Sequence, residues 1–341
     1  MLNRERNYLS TQALIDPSES PWHTLHSSRD RGSFINLISI DPDSFDYLLK
    51  FFDNHYIVLN GPGKRGRPSR LLHKNAILGC LLHFYTAEIR YKSLCKMFGV
   101  PPSTMSRIMA KAESALFCAL KEIPEARISW PSFDEQQLWA SLCNAKEPLI
   151  NGCFGVADGL NLAVQEPTDV DLQNAMHNGN DDHEISIDYA LISSSRLATF
   201  HMGYRHNCPG SWNDAEMSRG LQEKLLDPGK TLPEGCIATD SAFPVSKDFQ
   251  GKIITPMKDG DLERVSPQCR LAMIALSNAI TAIRQAGEWG MGSAPKVYRQ
   301  LNLPLPYSPA ARELRLANIL RFYNFRVRRT GISQIRSVHF M

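Results

Sequence analysis

The chain has 341 residues, of which 43% are hydrophobic and 21% are charged, and its formal net charge is +3. These values are typical of globular proteins and exclude a largely disordered chain, while the length allows one large domain or two ordinary ones. The sequence has no apolar run long enough to span a membrane, and residues 1–30 lack the apolar stretch of a secretory signal. We therefore expect an intracellular protein.

The N-terminal part of the chain has a helical pattern that follows an irregular lead-in at 1–33. Residues 41–57 begin with an Asp cap and a proline in the first turn, and apolar residues then recur at helical spacing. A connector rich in glycine and proline follows at 61–69. Further helices are predicted at 70–87, 91–98 and 103–121.

The pattern changes after the segment PEARISWPSF at 124–133, which marks a boundary. Beyond it, short segments rich in branched and aromatic residues predict strands. The fold class is therefore α+β, and we expect a lead-in at 1–33, a helical region at 34–130 and a sheet-containing domain at 131–341. The predicted strands are 153–158, 161–164, 185–193, 197–204, 236–240 and 252–257, and the later helices are 213–226, 267–288 and 309–328.

Charge is distributed unevenly along the chain. Residues 64–74 carry five basic and no acidic residues, 134–188 carry eleven acids and one base, and 312–336 carry seven arginines and one glutamate. A basic run alone is most simply a solvated helix face. Two basic blocks around an acidic block indicate a nucleic-acid partner.

The eight cysteines show neither a C-x-x-C pair nor a histidine at zinc-ligand spacing. We interpret them as reduced thiols, most of them small buried apolar groups. This pattern argues against a structural zinc site.

The segment at 91–112 has the pattern of a helix-turn-helix. Gly99 ends the first helix, because glycine adopts the left-handed cap conformation, and Ser103 is expected to cap the second. Thr104, Arg107 and Lys111 then share one polar stripe, where a recognition helix presents groups to a DNA groove. The alternative is a plain helical hairpin within a bundle.

Two short basic segments are further candidates for DNA contact. Arg65 and Arg67 flank a glycine in the run RGRP, which matches the core of an AT-hook that inserts arginines into a narrow minor groove. The alternative is a basic linker that also serves as a nuclear-import patch. Arg326, Arg328 and Arg329 near the end of the last helix suit either phosphate contacts or a helix C-terminus.

Two aspartates are the last residues of apolar predicted strands. Asp158 stands in VADG and Asp240 in CIATDSAFP. If the two strands are neighbours, their carboxylates protrude from one edge of the sheet, and their mutual repulsion favours a divalent cation between them. Hard oxygen ligands select Mg²⁺ or Mn²⁺ over zinc.

A third acid lies on a predicted helix. Ser277, Thr281, Arg284 and Glu288 form one narrow polar stripe, and the other faces of this helix are mostly apolar. Such a helix is suited to packing on the sheet beside the metal cleft, with Glu288 as a further ligand. Taken singly, each of these acids is more simply a helix cap or a surface group.

These motifs resemble the DDE triad of PIF/Harbinger-type transposases and of the nucleases derived from them. Asp158, Asp240 and Glu288 occur in the family's order, and the interval from Asp240 to Glu288 is 48 residues. The strings VADGLNL, IATDSAFP and AGEWGMG resemble the family's motifs around the three acids. NCPGSWNDAEM resembles a fourth motif, with Asp214 in its Asp position. The resemblance covers residues from about 40 to 336.

The resemblance implies a ribonuclease H-like mixed-sheet catalytic domain in which Asp158, Asp240 and Glu288 bind divalent metal. Asp214 and Arg284 are supporting residues. Asp214 would support the metal ligands without binding the metal itself, or would act in strand positioning. The alternative is a carboxylate at the N-terminus of the helix predicted at 213–226.

The implied activity is metal-dependent DNA cleavage by a DDE endonuclease, transposase-like or domesticated, through a two-metal mechanism. The alternative is a catalytically dead DNA-binding or scaffold protein, because Leu160 and Ala215 stand where the family usually has Thr and Ser. DNA is the expected partner. A Myb-like DNA-binding partner protein and homo-oligomers are further possible partners that the resemblance suggests. The expected location is the nucleus, with shuttling through the cytoplasm.

Overall fold

A computed structural model describes residues 9–58, 69–165, 184–188, 203, 205–209, 218–241, 243 and 247–331, with the backbone alone at 161, 184–188, 205–209 and 286–291. Arg65, Arg67 and Asp214 lie outside these ranges. The described chain is a mixed α/β structure that is mostly helical. None of its helices combines the length and the apolar composition needed to cross a membrane.

The described helices are α1 (Pro21–Ser28), α2 (Arg31–Ile38), α3 (Pro42–His55), α4 (Lys74–Thr86), α5 (Tyr91–Met97), α6 (Pro102–Glu122), α7 (Phe133–Lys146), α8 (Arg219–Leu226), α9 (Arg270–Val297) and α10 (Pro309–Thr330). The described strands are β1 (Cys153–Val156), β2 (Leu160–Ala163), β3 (Glu184–Asp188), β4 (Arg205–Pro209), β5 (Cys236–Ala238) and β6 (Ile253–Ile254). Short 3₁₀ turns connect several of them.

The prediction that residues 1–33 are irregular is wrong for α1, which begins after the capping residue Ser20. Trp22 of this helix is buried and its ring lies 5.3 Å from that of Phe45. A helix of eight residues is too short to show a clear 3.6-residue period, and it is tertiary burial that holds it. The cap predicted at the start of the next long helix is confirmed, since Asp41 accepts a hydrogen bond from the backbone N–H of Ser44.

Gly99 ends α5 as predicted, with a φ of 64°. The N–H groups of Gly99 and Val100 donate to the carbonyls of Lys96 and Cys95, which is a Schellman cap. The predicted cap at Ser103 is wrong: α6 begins at Pro102 after an N-cap at Pro101, because proline is favoured in the first helical turn. The inward face predicted for α6 is confirmed, since Met105, Ile108, Met109 and Ala112 are buried.

The strands form two small sheets. β1, β5 and β6 are parallel in the order β1-β5-β6, and β2, β3 and β4 are antiparallel in the order β2-β3-β4. Only residues 157–159 separate β1 from β2. The predicted strand at 185–193 is confirmed where it coincides with β3, and most of the one at 197–204 lies outside the described residues.

Helices cover both faces of the parallel sheet. On one face, Phe154 and Ile237 pack with Trp139 of α7 and Leu221 of α8. On the other face, β1 and β5 pack against Ala279, Ile280 and Ile283 of α9. Because successive strand residues point to opposite faces, short buried strands can serve both layers.

The largest hydrophobic core joins the N-terminal helices to α10. Arg315 of α10 forms an ion pair of 2.8 Å with Glu113 of α6, and both side chains are largely buried. Contacts therefore cross the boundary predicted near residue 130, and the division into parts at 34–130 and 131–341 stays a prediction.

The arginines at the end of α10 bind other parts of the chain. Arg326 donates to the carbonyl of Ser39, and Arg328 donates to that of Glu125. Arg329 lies over the ring of Tyr47, with 4.2 Å from its guanidinium carbon to the ring centroid. These contacts hold α10 against the N-terminal helices. The charge pattern did not indicate that these arginines stabilise the packing of helices. Of the cysteines whose side chains are described, four are buried, namely Cys80, Cys95, Cys153 and Cys236.

Candidate active site

Two aspartates follow neighbouring parallel strands at matched positions. Val156 of β1 is the register partner of Ala238 of β5, and the N–H of Ala157 extends the pairing by donating to the carbonyl of Ala238 at 2.9 Å. Asp158 and Asp240 stand two residues beyond that pair. Since paired strands lie about 4.8 Å apart, the backbone brings both residues to one edge of the sheet.

Backbone N–H groups hold both carboxylates at this edge. Oδ1 of Asp158 accepts a hydrogen bond of 3.0 Å from the N–H of Gly159, and Oδ1 of Asp240 accepts one from the N–H of Ser241. Both aspartates are partly accessible, and the side chain of Asp240 is 44% exposed. Each carboxylate is thus oriented by the backbone N–H of the next residue and remains accessible to solvent.

The polar stripe predicted on α9 contacts this edge of the sheet. Oγ of Ser277 accepts a hydrogen bond of 3.1 Å from the N–H of Met257, in the segment that follows β6. One guanidinium nitrogen of Arg284 lies 3.8 Å from Oδ2 of Asp240. Ile280 and Ile283 hold the same helix against the sheet. The start of α9 differs from the expectation of a packed apolar face, since Leu271 is 82% exposed.

Glu288 lies four residues after Arg284 on α9. Four helical residues correspond to an advance of about 6 Å and little more than one turn, so Glu288 stands near the same stripe. Its side chain is outside the described part of the structure. The structure therefore pairs Arg284 with Asp240, whereas Asp158 is placed near them by strand register and Glu288 by its helix position.

The donor set at this edge suits a hard divalent cation. Carboxylate oxygens are the ligands that Mg²⁺ and Mn²⁺ prefer, and two adjacent carboxylates repel each other unless a cation lies near them. Arg284 already places one cationic group on Asp240. Among the side chains that the structure describes, which do not include that of Glu288, no three His, Cys, Asp or Glu residues are grouped so as to hold a metal.

The candidate DNA-binding residues on α6 differ in their surroundings. Arg107 is exposed, and its Nε donates to the carbonyl of Ser103 within the same helix at 3.3 Å. The ammonium of Lys111 donates to the carbonyl of Ile57 and lies 5.1 Å from the centroid of the Tyr56 ring. Thr104 is partly buried. Arg107 is therefore the member of the stripe that is best placed to meet a phosphate.

Sequence reasoning missed the backbone donors that orient the two carboxylates. These donors are the N–H groups of Gly159 and Ser241. The sequence features that could have indicated them are the dipeptides Asp-Gly and Asp-Ser. The partner of Arg284 was also missed, because α9 and β5 are distant in sequence.

Comparison with protein families found a match over the residues of this site. Residues 157–321 match the model of a family described as DDE superfamily endonuclease. The matched range includes Asp158, Asp240, Arg284 and Glu288. No curated protein and no solved structure matched the chain. Residues 157–321 are therefore similar to a DDE superfamily endonuclease domain, and this similarity suggests a transposase-like nuclease.

Proposed function

We propose that this chain is a metal-dependent DNA endonuclease of the PIF/Harbinger type, transposase-like or domesticated from a transposase. The observation that carries the proposal is the matched placement of Asp158 and Asp240 beyond Val156 and Ala238, within the DDE endonuclease domain. DNA is the substrate, and the reaction is hydrolysis of a phosphodiester bond.

In this proposal the core is ribonuclease H-like. β1 and β2, which are three residues apart, would then be one interrupted strand that joins the antiparallel sheet β2-β3-β4 to the parallel sheet β1-β5-β6. In this arrangement Asp158 lies between β1 and β2, and Asp240 follows the neighbouring parallel strand β5. The later helix α9 supplies Glu288 from one face.

The site residues divide the work as follows. Asp158, Asp240 and Glu288 supply the oxygen ligands for Mg²⁺ or Mn²⁺, and the N–H groups of Gly159 and Ser241 orient the two aspartates. A bound pair of such ions would activate the attacking water and stabilise the leaving 3′-oxygen. Arg284 balances the charge of Asp240. Asp214, which is not among the described residues, is proposed as a further supporting residue.

The helical region at 34–130 is proposed to guide the DNA. Arg107 and Thr104 on α6 would contact the backbone or a groove, together with Arg65, Arg67 and Lys111. A Myb-like partner protein, homo-oligomers and action in the nucleus belong to the same proposal, and the basic run at 64–74 supports the last of these.

A second candidate function is a DNA-binding or scaffold protein without nuclease activity. Leu160 favours it, because this residue opens β2 two positions after Asp158 and packs partly buried against the large hydrophobic core. Leucine has no hydroxyl, so this position cannot supply one near the carboxylates as threonine would.

Plasmid nicking tests the proposal. We expect the full chain to convert supercoiled DNA to open circles with Mg²⁺ or Mn²⁺ and not with a chelator. Asp158→Asn and Asp240→Asn should abolish nicking while the circular dichroism spectrum stays unchanged. Asp259→Asn, at an exposed acid, is the matched control and should cut normally.

Two outcomes separate the candidates. If the double aspartate variant nicks at the wild-type rate, the activity does not come from this site and the proposal fails. If the wild-type chain binds DNA without nicking it under any divalent cation, the scaffold function is favoured.

A further inference from the structure

We infer that Arg284 is an internal counter-ion of the Asp240 carboxylate. It neutralises part of that charge in the metal-free chain, and a divalent cation must displace it to bind. The inference rests on the proposed function and names a regulation of the same site. It makes Arg284 a positioning residue that sets the metal affinity of the site.

The contact between the two residues has the geometry of a replaceable ion pair. The distance of 3.8 Å from the Arg284 nitrogen to Oδ2 of Asp240 exceeds that of a hydrogen bond, so the attraction is mainly Coulombic. A bidentate arginine clamp would be shorter and stronger. The carboxylate is 44% exposed, which leaves a metal ion an approach from solvent.

Arg284 starts from a part of α9 that packs against the parallel sheet. Arg284 is only 14% exposed and directly follows Ile283, which is buried against β1 and β5. The helix therefore brings the backbone of Arg284 beside the sheet edge, within reach of Asp240. Since a guanidinium keeps its charge at any physiological pH, it cannot leave by deprotonation.

Such a counter-ion is useful because the site must be stable without metal and must also bind metal. Without metal, Asp158 and Asp240 bring like charges to one edge, and Arg284 offsets part of their repulsion. A divalent cation then competes with the guanidinium for Asp240. The chain consequently folds without metal, and it binds metal more weakly than the carboxylates alone would.

Mn²⁺ titration of the full chain without DNA measures this competition, with binding followed by calorimetry and by the shift in Tm. Arg284→Gln removes the charge and keeps a polar side chain of similar length, and we expect it to bind Mn²⁺ about fivefold more tightly. Its Tm without metal should fall, and its increase in Tm with Mn²⁺ should be larger than that of the wild type. Arg284→Lys retains the charge and should bind Mn²⁺ like the wild type.

Arg270→Ala is the matched control. It removes the same charge from the same helix, about 21 Å away along the axis, where salt screens most of the effect. Arg270 instead donates to the carbonyl of Val265, so its loss should leave Mn²⁺ affinity unchanged.

The outcomes distinguish this inference from the proposed function. If Asp240→Asn weakens Mn²⁺ binding but Arg284→Gln binds no more tightly than the wild type, the counter-ion role is overturned while the metal site stands. Equal gains for Arg284→Gln and Arg270→Ala also overturn it, since they reveal a general charge effect. If neither the wild type nor Arg284→Gln binds Mn²⁺, the proposed function fails as well.

Discussion

Val156 and Ala238 face each other on neighbouring parallel strands, and each stands two positions before an aspartate. This register makes the positions of Asp158 and Asp240 equivalent along the sheet edge, although 82 residues separate them in the sequence. A shift of one residue would turn one carboxylate to the opposite face. The site therefore depends on the pairing of β1 with β5.

The turn between α5 and α6 depends on a left-handed glycine. Gly99 has a φ of 64°, and a Cβ there would collide with the carbonyl oxygen of Ile15. We expect Gly99→Ala to lower the free energy of unfolding by at least about 1–2 kcal/mol, measured by urea denaturation.

Gly32→Ala is the control for this substitution. Gly32 lies in α2, where a Cβ meets only the Asp30 carboxylate at an ordinary 3.6 Å, so alanine should be neutral or stabilising. Equal effects at both glycines would contradict the described turn.

The ion pair between Glu113 and Arg315 joins α6 to α10 across the large core. Tyr85 also donates to the Glu113 carboxylate at 3.3 Å. Glu113→Gln leaves a buried arginine without its counter-charge and should cost about 3 kcal/mol in urea unfolding. Replacing both residues by leucine and methionine should recover much of that loss, because it removes both buried charges.

Asp43→Asn breaks an exposed pair with Arg29 and is the control. The Asp43 side chain is 94% exposed, so the expected cost is below about 1 kcal/mol. A Glu113→Gln variant as stable as Asp43→Asn would show that α10 is not held to α6 as described.

Arg107 and Lys111 should differ in DNA binding. Arg107→Ala should weaken binding and reduce the slope of log K against log salt by about 0.9, the loss of one phosphate contact on duplex DNA. Lys111→Ala should leave the slope nearly unchanged and lower stability, because its ammonium donates to the carbonyl of Ile57, just after α3. A reduced slope for Lys111→Ala alone would reverse this assignment.

The local features of the site could be predicted from the sequence. Apolar segments that end in Asp158 and Asp240 indicate strand ends, and Gly99 indicates the end of a helix. The pairing of β1 with β5 is a tertiary choice, and no local pattern states which strands are neighbours. The ion pair between Arg284 and Asp240 depends on that choice too, so the sequence shows a polar stripe without its partner.

Other expectations failed for identifiable physical reasons. α1 is too short for its period to be read, and burial of Trp22 holds it. Pro101 and Pro102 start α6 before Ser103 can act as its cap. Arg326 and Arg328 donate to backbone carbonyls because α10 packs into the helical half, which charge patterning alone cannot reveal.

Anomalous diffraction from crystals of the full chain soaked in Mn²⁺ tests the central claim most directly. We predict a manganese peak about 2.1 Å from carboxylate oxygens of both Asp158 and Asp240, with Glu288 completing the site and a second ion about 4 Å away. Manganese bound elsewhere, or carboxylates of Asp158 and Asp240 that bind no ion at saturating Mn²⁺, would contradict the account.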